Sequence, residues 1–129
     1  EDASRVYGLD TVDKNKLVRV LEGPLDSLFL DNAIAVGSAS LIVPELSGYK
    51  DYVLIPDNQP RNKEVCLSIR KMVDSGAKVC IWQKDFGKDI NQMVLNGHSK
   101  DDIMELIETS TFSGTLAKLK FGEWVKVKL

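Results

Sequence analysis

At 129 residues the chain has the length of one domain, large enough to bury most of the surface its unfolded form exposes. Its 43% hydrophobic and 28% charged residues are those of an ordinary globular protein, and a net charge of −2 argues neither for nor against a polyanionic partner. Two cysteines, Cys66 and Cys80, one histidine and no CxxC exclude a structural zinc site, and no apolar run is long enough to cross a bilayer.

Residues 1–15 are polar and without periodicity, begin without Met and carry no signal-peptide pattern. They read as a seam to a preceding region of a longer chain. Residues 16–21 ("KLVRVL") are strand-like, and residues 24–30 give one or two helical turns with Pro24 placed for a helix start. "AIAV" (33–36) and "YVLI" (52–55) are short, fully apolar strands. Across residues 62–75 the apolar positions Val65, Ile69, Met72 and Val73 follow one helix face, and Gly76 is the stop. "KVCIW" (78–82) is a fourth strand. Residues 90–95 form a short helix ending at Asn96-Gly97, and Ser99 with Asp102 marks the start of another over residues 100–108. The tail is ambiguous: Ala117, Phe121, Trp124 and Val125 favour helix, whereas "VKVKL" alternates like a strand. Helix is the expectation. Cys66 and Cys80 read as reduced, buried thiols of an intracellular protein.

Short apolar strands separated by helical patterns imply an α/β fold, with a mostly parallel sheet of about four strands covered on both faces. In such sheets ligands bind beyond the carboxyl ends of the strands. There the chain places Glu22 and Asp26, then Gly37-Ser38, then Asp57 with Asn58 and Gln59, then a loop holding Asp85, Lys88, Asp89 and Asn91. Three of four strand ends deliver carboxylates to one edge. Crowded carboxylates repel unless a cation sits among them, and an all-oxygen donor set suits Mg²⁺ or Mn²⁺. Taken singly, Asp57 and Asp85 read as helix caps and Asp26 as a helix-dipole residue. Glu22 resists that reading, because Glu is a poor cap and ends an otherwise apolar strand. His98 reads as a solvated turn residue, Trp82 and Trp124 as core or interface rather than base-stacking platforms, and Lys118, Lys120, Lys126 and Lys128 as a solvated face able to attract phosphates.

"LEGPLDSLFL" (21–30), "YVLIPDNQ" (52–59) and "GKDINQMV" (87–94) together resemble, in order and spacing, the three acidic motifs of the Toprim domain. That domain is shared by primases, topoisomerases and some nucleases. With "PDNQPRNKEV" the similarity is nearest to primases of T-even-like bacteriophages, and it runs from about residue 16 to the end. The resemblance implies that residues 16–129 are the Toprim catalytic domain of a longer primase. It implies Glu22, Asp57 and Asp89 as catalytic metal ligands, supported by Asp26 and Gln59. Two Mg²⁺ or Mn²⁺ ions would act with nucleotide bound. Lys88, Asn91, Arg61 and Lys63 become candidates for nucleotide or template contacts, a solvated helix start being the plain alternative for Arg61 and Lys63. The family's second motif normally carries a second aspartate followed by Gly; here Gln59 and Pro60 stand there, and Gln offers an oxygen without charge.

The implied activity is synthesis of short RNA primers on a single-stranded DNA template from ribonucleoside triphosphates, at the replication fork in the host cytoplasm. The implied partners are a replicative helicase and an N-terminal zinc-binding domain of the same chain; no membrane is involved. The segment alone is expected to prime weakly or not at all. Two rivals remain at this point. A Toprim nuclease or topoisomerase fragment would share the carboxylates, although neither Tyr49 nor Tyr52 sits in a convincing nucleophile setting. A receiver-like binding module would also gather acids at strand ends, but its switch Thr is absent after "KVCIW".

Overall fold

The computed structural model describes residues 6–129, and residues 1–5 of the expected seam lie outside the described residues. The four parallel strands are β1 (Val18–Leu21), β2 (Ala33–Ala35), β3 (Tyr52–Leu54) and β4 (Lys78–Cys80). Apart from Arg19 in β1 and Lys78 at the start of β4 they are built of apolar residues and Tyr52, because both faces of the sheet are covered. Val20, Leu54 and Val79 enter one core with Ile69 and Met72, whereas Leu21, Val53 and Cys80 enter a second core with Met93 and Ile103. Neighbouring strand residues thus feed opposite layers, as the pleat requires.

The helices form where the apolar spacing and caps indicated. These are α1 (Pro24–Phe29), α2 (Lys63–Asp74), α3 (Ile90–Leu95), α4 (Lys100–Thr109) and α5 (Gly114–Trp124). Asn62 caps α2 by accepting from the Val65 N–H at 3.1 Å, and Ser99 caps α4 by accepting from Asp102 N–H at 3.1 Å. Gly76 follows α2 at φ 85°, a conformation that favours glycine at a helix end. Helices α2 and α5 cover the first face of the sheet, and α3 and α4 the second.

The expected α/β fold, a mostly parallel sheet flanked by helices, is borne out, with one short strand added to the four read from the sequence. The fifth, β5 (Thr111–Phe112), pairs antiparallel with β4, giving the order β2-β1-β3-β4-β5. Two residues are too few to carry a periodic signal. The tail is helical through Trp124, and "VKVKL" joins no strand among the described residues. Within the polar N-terminal stretch, Tyr7 makes an antiparallel bridge to Ala35, and Val6 and Val12 pack on the first core. Cys66 and Cys80 are free and buried, and no described helix is long and apolar enough to cross a membrane.

Candidate active site

The strand order reverses at β1: the chain passes from there to β2 on one side and returns to β3 on the other. A doubly wound sheet opens its ligand crevice at such a switch point, outside the carboxyl ends of the two central strands. Glu22 follows β1 directly, and Asp57 lies three residues beyond the end of β3. The topology therefore sets the first and second acidic segments at the carboxyl ends of two neighbouring parallel strands.

The loop carrying Asp57 is tied down on several sides. The indole N–H of Trp82 donates to the Pro56 carbonyl at 2.8 Å, and that of Trp124 donates to Asn58 Oδ1 at 2.9 Å. Both tryptophans are core residues, as expected, and both also position this loop. The Asn58 N–H donates to the Lys88 carbonyl at 2.7 Å, binding the second acidic segment to the third. The Cys66 thiol lies 3.3 Å from the Pro60 carbonyl. Asp57 caps no helix; that role belongs to Asn62.

Asp89 does cap a helix, accepting from Gln92 N–H at 2.8 Å at the start of α3. Asp26, one turn into α1, accepts from the Asn91 N–H at 2.9 Å, so α1 and α3 are joined by an acidic side chain. Gly23 explains the "EGP" that begins α1. A Cβ there would lie 3.2 Å from Asp26 Oδ2, so glycine leaves the room this carboxylate occupies. Gly87, at φ 147°, opens the third motif where a Cβ would meet the Met93 N–H nitrogen at 3.0 Å.

Electrostatics couple the acids of the three segments. Asp57 is pushed up to about 6, first by burial and then by the charges of Glu22, Asp89 and Asp26. Asp26 is also raised, chiefly by burial, with Asp89 and Glu22 adding to it and the Asn91 N–H opposing. Four carboxylates predicted from sequence are thus brought within mutual influence. They do not form a closed cage: among the described residues, no group of three or more acidic, His or Cys side chains stands ready-made around a cation position. The donor set is nevertheless all oxygen, and a hard divalent cation would offset the repulsion that Glu22, Asp89 and Asp26 add to the burial of Asp57. Mg²⁺, which keeps several waters and shares phosphate oxygens, suits so open a set.

The remaining candidates fall into different places. The Gln59 amide donates to Asp57 Oδ2 at 3.4 Å, and its oxygen accepts from Asn62 at 3.5 Å, so it sits beside the cluster as a neutral neighbour. Arg61 and Lys88 line a cavity with Asn58, and Lys63, the first residue of α2, is exposed and outside that lining. Asn91 contributes its backbone N–H; its side chain is exposed. Asp85 accepts from the Gly87 N–H at 3.2 Å and shapes the turn. His98 is no solvated turn residue: it is half-buried and stacks on Phe86 with ring centroids 3.8 Å apart. Sequence reasoning missed Lys84, which shares the cavity lining with Lys88; the signal was its place in the same loop, "QKDFGKD".

No family model matches the chain. DNA primase of Enterobacteria phage T4 is 35% identical to it over 130 residues, an alignment that takes in 98% of the chain. The chain is a relative of a T-even phage primase. It spans 37% of that protein's length. The expected resemblance to primases of T-even-like phages is borne out at this level.

Proposed function

We propose that the chain is the Toprim catalytic core of a DNA primase, with Glu22, Asp57 and Asp89 as the ligands of divalent metal and Asp26 and Gln59 in support. The observation that carries this reading is the meeting of three acidic segments at the switch point, where Asp57 is raised to about 6 by burial and by its acidic neighbours. Bound there, Mg²⁺ or Mn²⁺ would stabilise the attacking and leaving oxygens of phosphoryl transfer.

The chain's own residues would do the positioning. Asp57 is presented by a loop that two tryptophans hold, and Asp89 is fixed by its cap on α3. Asp26 keeps α1 and α3 in register through Asn91. Arg61, Lys63, Lys88 and Asn91 are proposed to meet nucleotide or template. The substrates in this reading are ribonucleoside triphosphates on a single-stranded DNA template, and the product is a short RNA primer. A replicative helicase and an N-terminal zinc-binding segment are the proposed partners.

The receiver-like alternative loses ground to one observation. A receiver also carries a Lys at a later strand end, but strand β5 is antiparallel, so its carboxyl end delivers no lysine to the rim that holds Asp57. The test of the primase reading is a chimera in which this chain replaces the aligned segment of the T4 enzyme. The chimera should make short RNA on single-stranded DNA, and Glu22→Gln should abolish that synthesis. Undiminished priming by the Glu22→Gln chimera contradicts the reading, and metal-dependent plasmid nicking that disappears with Glu22→Gln, without priming, favours the nuclease.

A further inference from the structure

All three acidic segments are tied to helix α3 and to the loop of residues 85–89 that leads into it. Asp26, of the first segment, accepts from the Asn91 N–H at 2.9 Å. Asn58, next to Asp57 in the second, donates its N–H to the Lys88 carbonyl at 2.7 Å. Asp89, of the third, caps α3 through the Gln92 N–H at 2.8 Å. Whatever holds this loop in place therefore also sets the acids relative to one another.

A helix of six residues is too short to persist by itself in water, so α3 depends on what it packs against. Ile90 and Met93 anchor it in the second core. At its far end the chain returns to the loop twice. The Asn96 side-chain amide donates to the Phe86 carbonyl at 2.9 Å. The His98 ring lies flat on the Phe86 ring, with centroids 3.8 Å apart and planes within 4° of parallel. Gly87 allows the close approach, since a Cβ there would lie 3.2 Å from the Asn96 amide nitrogen. The loop thus folds back along α3, and Phe86 touches the end of the helix that Asp89 begins. The His98 main chain has its own anchor, an N–H donated to the Met93 carbonyl at 3.1 Å, so the helix end does not need the ring. What the ring adds is its hold on Phe86.

We propose that His98 is a positioning residue for the acidic crevice. By stacking on Phe86 it fixes the loop at residues 85–89, and through that loop the placement of Asp89 and Asp57 and their affinity for a divalent cation. His98 itself touches neither metal nor substrate. The last step rests on the metal reading proposed above; the first, from ring to loop, needs no metal. Phe86 and His98 are both half-buried, so the stack can loosen without opening either core. Residues that orient metal ligands from behind govern affinity without coordinating, and this stack is such a support.

The test compares wild type with His98→Ala, which removes the ring and keeps the main-chain anchor, and with His98→Phe, which restores a flat ring. In EDTA, amide hydrogen exchange at residues 86–89, read by NMR, should be about tenfold faster in His98→Ala and within about twofold of wild type in His98→Phe. Exchange in α2, on the other face of the sheet, should not change. Mn²⁺ binding, read by electron paramagnetic resonance, should be about tenfold weaker in His98→Ala and within about twofold of wild type in His98→Phe. A residue that only stabilised the fold would speed exchange in α2 as well and leave the Mn²⁺ affinity of the folded chain unchanged. The inference is overturned if folded His98→Ala keeps wild-type exchange in the loop or wild-type Mn²⁺ affinity, or if His98→Phe restores neither. Should wild type bind no Mn²⁺ while loop exchange still follows the ring, the metal reading falls and the step from ring to loop stands.

Discussion

At the scale of single residues, Asp57 has the most to lose from ionisation. Its folded pKa of about 6 lies above the ordinary 3.8, so the folded chain holds the proton more tightly than the unfolded chain does. This group's contribution to metal-free stability is therefore greatest below about pH 4, declines as pH rises toward 6, and stays low above that. Asp57→Asn removes the decline. In EDTA at pH 7 it should raise stability by about 1 kcal/mol, after allowance for screening at a half-exposed site, and the melting temperature by about 3 °C. The same variant should lose the extra stability that Mn²⁺ gives wild type, a pairing that thermal scans with and without metal will read. Gly23→Ala acts from the other side of the cluster. Its Cβ, 3.2 Å from Asp26 Oδ2, should displace that carboxylate and weaken Mn²⁺ binding roughly tenfold in calorimetry while the fold persists.

Among the secondary-structure elements, caps and pins carry the site. Asp89 has two duties, as the cap of α3 and as a member of the acidic group. Asparagine caps as well as aspartate, so Asp89→Asn should keep stability within about 0.5 kcal/mol, whereas Asp89→Ala should cost about 1 kcal/mol; denaturant unfolding separates them. Trp124→Phe keeps most of the apolar contact but leaves Asn58 Oδ1 without its donor. It should destabilise by about 1 kcal/mol and speed hydrogen exchange in residues 56–60. The elements themselves were legible. Asn62, Gly76, Ser99 and the spacing of Val65, Ile69, Met72 and Val73 marked helices that form where they were expected. What escaped was of another kind. Strand β5 is defined by its partner β4 rather than by its own two residues, and the stacking of His98 on Phe86 joins side chains twelve residues apart. Neither leaves a local pattern. That Trp82 and Trp124 converge on one loop from opposite ends of the second half of the chain is equally invisible before folding.

For the molecule as a whole, burial of the sheet on both faces leaves its carboxyl rim as the place where polar chemistry gathers. Leu54 and Val53, adjacent in β3, belong to different cores, so damage to either layer should loosen the crevice between β1 and β3. Ile69→Ala in the α2 layer should cost about 2–4 kcal/mol in urea unfolding. The acids of the crevice could be picked out from the sequence because strand ends and Glu, Gly and Asp spacing are local features. The cavity that Arg61 and Lys88 line could not, since they and Lys126 become neighbours only through the fold. The most direct test of the account is a Mn²⁺ titration of the intact chain, read by electron paramagnetic resonance, for wild type and for Glu22→Gln, Asp57→Asn and Asp89→Asn. Each substitution should weaken binding at least about tenfold in a chain that remains folded. Wild-type affinity in all three would contradict a shared metal site at the switch point.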